Sequence, residues 1–304
     1  MPWGLKRAPR PKLSVVVVFH NMRREARRTL WAFSTAFQQG VSAQDYEVLA
    51  MDSNSREPLD GAAIEALQPG FRYQFVPSAD PTPVAAMNAG IAAARGEHVA
   101  CVIDGARIPS PGMLHYLLKA LSAFAPAYVM TLGMHLGPKR QNLSMLEGYC
   151  QEVEDGLLKR SGWREDGYKL FAISSLAGSS RDGFLGSLAE SNCFAAPRGL
   201  LDALGGFDPG FRTIGGGFVN LDIHNRLVMH PELTPVMLLG EATFHQFHGG
   251  VSTNVPAEER PMQDFRDEYR ELRGEEHRVM WRDPVYLGRL PAAARRLMAL
   301  PAGG

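Results

Sequence analysis

The chain has 304 residues, with 32 Lys and Arg against 32 Asp and Glu, so its formal net charge is zero. That balance lacks the strong positive field that sequence-independent nucleic-acid binding needs, and no nucleic-acid partner is expected. The length suits one large α/β domain or two lobes sharing a sheet. Cys101, Cys150 and Cys193 are scattered without a CxxC spacing, which indicates neither a zinc site nor a disulfide framework. No stretch approaches the roughly 20 apolar residues of a membrane span. Residues 1–10 lack the apolar core of a secretion signal, so a cytoplasmic location is expected.

After a Pro- and Arg-rich start, the β-branched run Leu13-Ser-Val-Val-Val-Val-Phe19 predicts a parallel strand covered on both faces. His20-Asn21 leads into a helix over about 23–38, with Leu30, Phe33 and Phe37 at helical spacing. A strand over 46–51 stops at Asp52-Ser-Asn-Ser55, and a third runs near 73–76. A helix over about 84–94 then feeds a strand ending at Asp104. This alternation predicts a doubly wound, mostly parallel sheet with its ligand face at the strand ends. Beyond Pro109-Ser-Pro-Gly112 we expect a helix over about 111–124 and a strand near 127–132. The polar region 137–187, which contains Trp163 and Tyr168, reads as a long lid or binding loop. A strand over 190–195, a helix near 197–204 and the triplet Gly215-Gly216-Gly217 follow, then a helix headed by Asn220-Leu-Asp222. The last features are a strand near 235–239, Phe244-His245-Gln-Phe-His248, a charged helix over about 258–273 and a basic segment over 289–300. That final segment reads either as a helix packed on the core or as a contact for an anionic membrane surface.

The most informative stretch runs from Asn88 through Val99-Ala-Cys-Val-Ile-Asp104-Gly-Ala-Arg107, because it ends an apolar strand in a carboxylate. An Asp followed by Gly and Arg can hold a divalent cation and a phosphate group in one place. The competing structural role for Asp104 is to cap the helix that follows.

Five segments in order carry a resemblance: the strand 14–19 with Asn21, the strand ending at Asp52, the stretch Asn88 to Asp104, Gly205-Gly-Phe-Asp208, and the glycine triplet with Asp222. Over roughly 13–254 the chain resembles family 2 glycosyltransferases. The resemblance implies a GT-A fold, with a nucleotide-sugar-binding half over 13–110, an acceptor half over 111–254 and a C-terminal helical extension over 255–304. It implies transfer of a sugar from a nucleoside-diphosphate donor, a UDP-sugar by expectation, to a hydroxyl of a glycan or glycoconjugate. Inversion, polysaccharide assembly and peripheral contact with the inner face of the membrane complete that expectation. Phe19, Asn21, Asp52, Asn88, Asp104 and Arg107 are expected around the donor, and Trp163, Glu190 and Asn220 around the acceptor.

Two positions depart from the family pattern. The metal motif reads Asp104-Gly-Ala106, without its second carboxylate, and Val219-Asn220 stands where the acidic pair is usual. A cation shell with one carboxylate has room for an imidazole, and the resemblance places a late metal-binding His near His245 and His248; spacing leaves open which of the two binds. Nitrogen in the ligand set favours Mn²⁺ over Mg²⁺. Asp222 is the surviving acid and the expected general base, with helix capping as its alternative role. The departures also fit a degenerate nucleotide- or glycan-binding protein. A sugar nucleotidyltransferase fits less well, since Phe19-His-Asn-Met-Arg-Arg24 contains no glycine.

Overall fold

A computed structural model describes residues 10–250 and 254–298. The strands are β1 (Leu13–Phe19), β2 (Tyr46–Ser53), β3 (Phe71–Val76), β4 (His98–Val102), β5 (Arg107–Pro109), β6 (Ala127–Leu136), β7 (Ser174–Leu176), β8 (Cys193–Pro197), β9 (Thr234–His245) and β10 (Val285–Gly288). They form one sheet in the order β10-β9-β6-β8-β4-β1-β2-β3, with β5 added to β9 and β7 to β6. Along the main path only β8 runs against its neighbours β4 and β6. The carboxyl ends of β1, β2, β3, β4, β6 and β9 therefore share one rim, and β8 enters the sheet from that same rim.

The helices are α1 (Arg23–Phe33), α2 (Gly61–Glu65), α3 (Val84–Ala93), α4 (Met113–Ala123), α5 (Gln141–Ser144), α6 (Gln151–Ser161), α7 (Arg198–Ala203), α8 (Val219–Val228) and α9 (Met262–Arg273). Every residue of β1 is buried, yet its side chains still alternate between faces. Val16 and Val18 join the core beneath α3, whereas Leu13, Val15, Val17 and Phe19 join the core beneath α1 and α4. Gly90 brings α3 close to the sheet, because a Cβ there would stand 2.3 Å from Val16 Cγ1.

Several element boundaries differ from expectation. Helix α1 stops at Phe33, where Ser34 turns extended and its hydroxyl donates to the Trp31 carbonyl. β6 and β9 run on to Leu136 and His245, pairing in parallel through a bulge between Met130 and Leu132. The expected long loop 137–187 instead contains α5, α6 and the 3-10 turn Gly167–Ile173. The C-terminal segment is not purely helical: β10 pairs in parallel with β9. In the 3-10 turn Ala292–Met298, Ala294 and Leu297 are buried, so this part of the basic segment packs on the core. Residues 299 and 300 lie outside the described residues. Among the described residues, no helix is long and apolar enough to cross a membrane.

Candidate active site

Three side chains meet on the rim. Asp104 lies two residues beyond β4, in a tight turn that its own carboxylate closes by accepting from the Ala106 N–H. The Gly105 N–H donates to the Val18 carbonyl at 2.7 Å and Thr29 Oγ1 donates to the Gly105 carbonyl, which fixes the turn to β1 and α1. The alternative capping role is absent, since Gly112 is the N-cap of α4 and no side chain caps that helix. His245 ends β9 and stands in register with His135 of β6 and Arg107 of β5. Its Nε2 lies 2.8 Å from Asp104 Oδ2 and 3.1 Å from His248 Nε2. His248 Nε2 is 3.8 Å from Asp104 Oδ1. The three ligand atoms all fall within 4.8 Å of one another.

The hydrogen bonding shows what the cluster suits. His245 Nδ1 is 2.6 Å from Gln141 Oε1, whose amide nitrogen donates to the His245 carbonyl, so Nδ1 carries the proton. Burial drives the His245 pKa down to about 4 against the pull of Asp104. Burial raises the Asp104 pKa, but His245, His248 and Arg107 outweigh it and hold the carboxyl well below its usual range. With Nδ1 donating to Gln141, the Nε2 lone pair of His245 faces Asp104 Oδ2 at 2.8 Å, an arrangement that suits a cation. Neighbouring donors about 2.1 Å from one octahedral ion stand about 3 Å apart, close to the spacing found here. The residues fit a divalent metal.

Arg107 is 4 % exposed, with Nε and Nη1 unpaired among the described residues and Nη2 3.6 Å from Asp104 Oδ2. Such orphaned buried donors suit a phosphate group. Arg107 also lines a cavity of about 210 Å³ together with His135, Arg140, Glu190, Asn192 and Arg260. Burial holds the His135 pKa well below its usual value, keeping that ring neutral. At the rim ends of β1 and β2, Asn21 and Asn54 adopt positive φ of 54° and 51°. Asn21 Oδ1 accepts from the Arg56 N–H and its own N–H donates to Ser55, so the two loops are tied together.

Glu190 and Asn220 also reach this rim. The antiparallel pairing of Val102 with Cys193 sets the residues before β8 beside those after β4. Asn220 Nδ2 donates to Glu190 Oε2 at 2.5 Å, while Asn220 Oδ1 is buried and has no partner among the described residues.

Other expected site residues are committed elsewhere. Asp222 is 2 % exposed, and both of its oxygens accept from guanidinium groups, Arg273 at 2.6 and 2.8 Å and Arg226 at 2.9 Å. It therefore faces α9 and is not free to act as a base, and it provides no side-chain cap for α8. Asp52 is fully buried and accepts from the Ser55 and Leu59 N–H groups and from the Tyr73 hydroxyl, so it shapes its own loop and presents no surface to a nucleobase. Asn88 exchanges two hydrogen bonds with the Phe207 backbone, joining α3 to the Gly205-Gly206 turn. Phe19 lies wholly in the core beneath Gly105, where a Cβ would meet its ring at 2.2 Å. Trp163 is 4 % exposed and wedged edge-on against Trp31 and Phe37, at 5.5 Å from each ring, so it anchors the end of α6 instead of stacking on an acceptor. The Tyr168 hydroxyl donates to Glu241.

His135, Arg140, Gln141, Asn254 and Arg260 went unnoticed in the sequence. A polar His in the apolar run Met134-His135-Leu136 was a readable signal; the other four sit in segments whose patterning says nothing about the rim.

The sequence profile described as glycosyl transferase family 2 matches residues 14–174, more than half of the chain, and the chain belongs to that family. No curated protein matches it. Among solved structures it is similar to S. aureus TarS 1-349, with a TM-score of 0.52 and 10 % identity over 77 % of this chain and 60 % of that one. The same TarS fragment in complex with UDP-GlcNAc gives 0.53 and 12 % over 86 % and 65 %. A longer TarS structure gives 0.54 and 11 % over 78 % and 37 %. The chain thus spans less than two thirds of each of these neighbours. At such identities the likeness is one of fold, and that fold is GT-A, as the resemblance implied.

Proposed function

We propose that the protein transfers a sugar from a nucleoside-diphosphate sugar to a hydroxyl acceptor, with inversion and with dependence on a divalent metal. The observation that carries this reading is the convergence of Asp104, His245 and His248 at the strand ends. Those three would hold the ion, and their two nitrogens favour Mn²⁺ over Mg²⁺. When bound, the ion supplies positive charge against the departing diphosphate. The unpaired Arg107 donors would add to that charge, and the joined loops at Asn21 and Asn54 would border the nucleoside. A UDP-sugar donor is supported by the fold shared with TarS, which has been solved with UDP-GlcNAc. A glycan or glycoconjugate acceptor, polysaccharide assembly, and cytoplasmic or peripheral membrane placement belong to the same reading.

The test is UDP release from UDP-glucose, UDP-galactose and UDP-N-acetylglucosamine, measured with Mn²⁺, with Mg²⁺ and after chelation. Release with Mn²⁺ that chelation abolishes, and that Asp104→Asn and His245→Ala each lower at least 100-fold, is expected. Metal-independent release would overturn the metal role. A second reading, a nucleotide- or glycan-binding protein without turnover, is favoured by the engagement of Asp222 with two arginines and by Asn220 in the acidic-pair position. Tight UDP binding with no release from any donor selects it.

A further inference from the structure

Inverting transfer needs a carboxylate beside the acceptor hydroxyl. Asp104 is committed to the histidines, Asp52 has no exposed surface, and Asp222 is clamped by Arg226 and Arg273. Glu190 alone among the carboxylates lines the cavity beside Arg107. It is half-buried; Asn220 holds its Oε2, and among the described residues nothing donates to its Oε1. Asn220 is itself 6 % exposed and carries a buried Oδ1 likewise without a partner among those residues. Glu190 Oε1 is thus left without a donor among the described residues while Asn220 holds the other oxygen, and the hydroxyl of a substrate in the cavity can donate to it.

We infer that Glu190 is the general base of this chain and that Asn220 positions it. The acidic function usual at the head of α8 is then supplied from the segment before β8, through the Asn220–Glu190 hydrogen bond. This inference rests on the sugar-transfer reading above. In the step, a lone pair of the acceptor oxygen forms the bond to the anomeric carbon as that carbon's bond to the diphosphate oxygen breaks. The electron pair leaves on the diphosphate, and the hydroxyl proton passes to Glu190 Oε1.

Because water can replace the unidentified acceptor, the probe is slow hydrolysis of the UDP-sugars above with Mn²⁺, read as UDP release. Glu190→Gln is expected to lower kcat at least 100-fold, to leave the affinity for UDP within twofold, and to abolish the acidic limb of the kcat–pH profile. Glu190→Asp should restore part of the rate. Asn220→Ala should lower kcat with KM for the donor nearly unchanged. Hydrolysis by Glu190→Gln within fivefold of wild type, with the same pH profile, overturns the inference and leaves the sugar-transfer reading standing. Absence of turnover by the wild-type chain with every donor, despite UDP binding, removes both.

Discussion

Gln141 grips His245 at both ends: its Oε1 accepts from the imidazole Nδ1 and its Nε2 donates to the backbone carbonyl of the same residue at 2.9 Å. The same Oε1 accepts from Asn254 Nδ2, and Asn254 Oδ1 in turn accepts from the N–H groups of His248, Gly249 and Gly250. One amide therefore sets the tautomer of one imidazole and, through Asn254, the loop that carries the other.

Outer-shell partners of this kind typically change metal affinity 10- to 100-fold when removed. Gln141→Ala should accordingly weaken Mn²⁺ binding by about that factor while leaving the fold intact, as measured by calorimetric titration beside a circular dichroism spectrum. Unchanged Mn²⁺ affinity would show that His245 needs no external orientation.

Asp222 joins α8 to α9 through Arg273, which also reaches Asp208 at 2.8 Å, and pairs with Arg226 within α8. Replacing it with Asn leaves Arg226 without a carboxylate and Arg273 with Asp208 alone, at a cost of about 1–3 kcal/mol. Denaturant titration should show that loss, while the protein still folded releases UDP at a rate within a few-fold of wild type. A 100-fold fall in rate with unchanged stability would instead return Asp222 to the role of base.

Glu241 is buried between Ser110 and the Tyr168 hydroxyl. Burial raises its pKa from 4.5 to about 7, with those hydroxyls and the Gly112 N–H pulling the other way. Between those two values the folded chain keeps a proton that the unfolded chain releases, so the unfolded state binds fewer protons and stability falls as pH rises. The full loss, on the order of 3 kcal/mol, is present above the folded value. Glu241→Gln should flatten the decline of Tm between pH 5 and pH 8; an unaltered slope would assign the decline to other groups.

The parallel half of the fold was legible because β1, β2 and the segment leading to Asp104 are continuous apolar runs that end in polar residues. The Asp104–His245–His248 grouping was also anticipated, but only the register of β6, β9 and β5 shows why it forms. Expectation failed where a polar residue had two competing uses. Asp52, Asn88 and Asp222 carry the residue types of a ligand site, yet each spends its hydrogen bonds on backbone groups, a tyrosine or arginines. Their distant partners, Tyr73, Phe207 and Arg273, are set by tertiary packing, which periodicity does not encode. Helix α5 was hidden because it is a single turn, and α6 because its 11 residues are mostly polar, with few apolar positions to mark a face.

The reversed direction of β8 has a consequence for how the two ends of the site are coupled. On the proposed reading, the nucleotide and the ion are held by segments that leave the sheet, whereas Glu190 arrives on a segment about to enter it. That incoming segment is fastened to β6 by the Ala177 N–H on the Gly133 carbonyl and by the Gly133 N–H on Ser180 Oγ, so the base and the histidine that would hold the ion hang on one strand pair. A change that shifts β6 against β9 would therefore move the acceptor end and the leaving-group end of the reaction together.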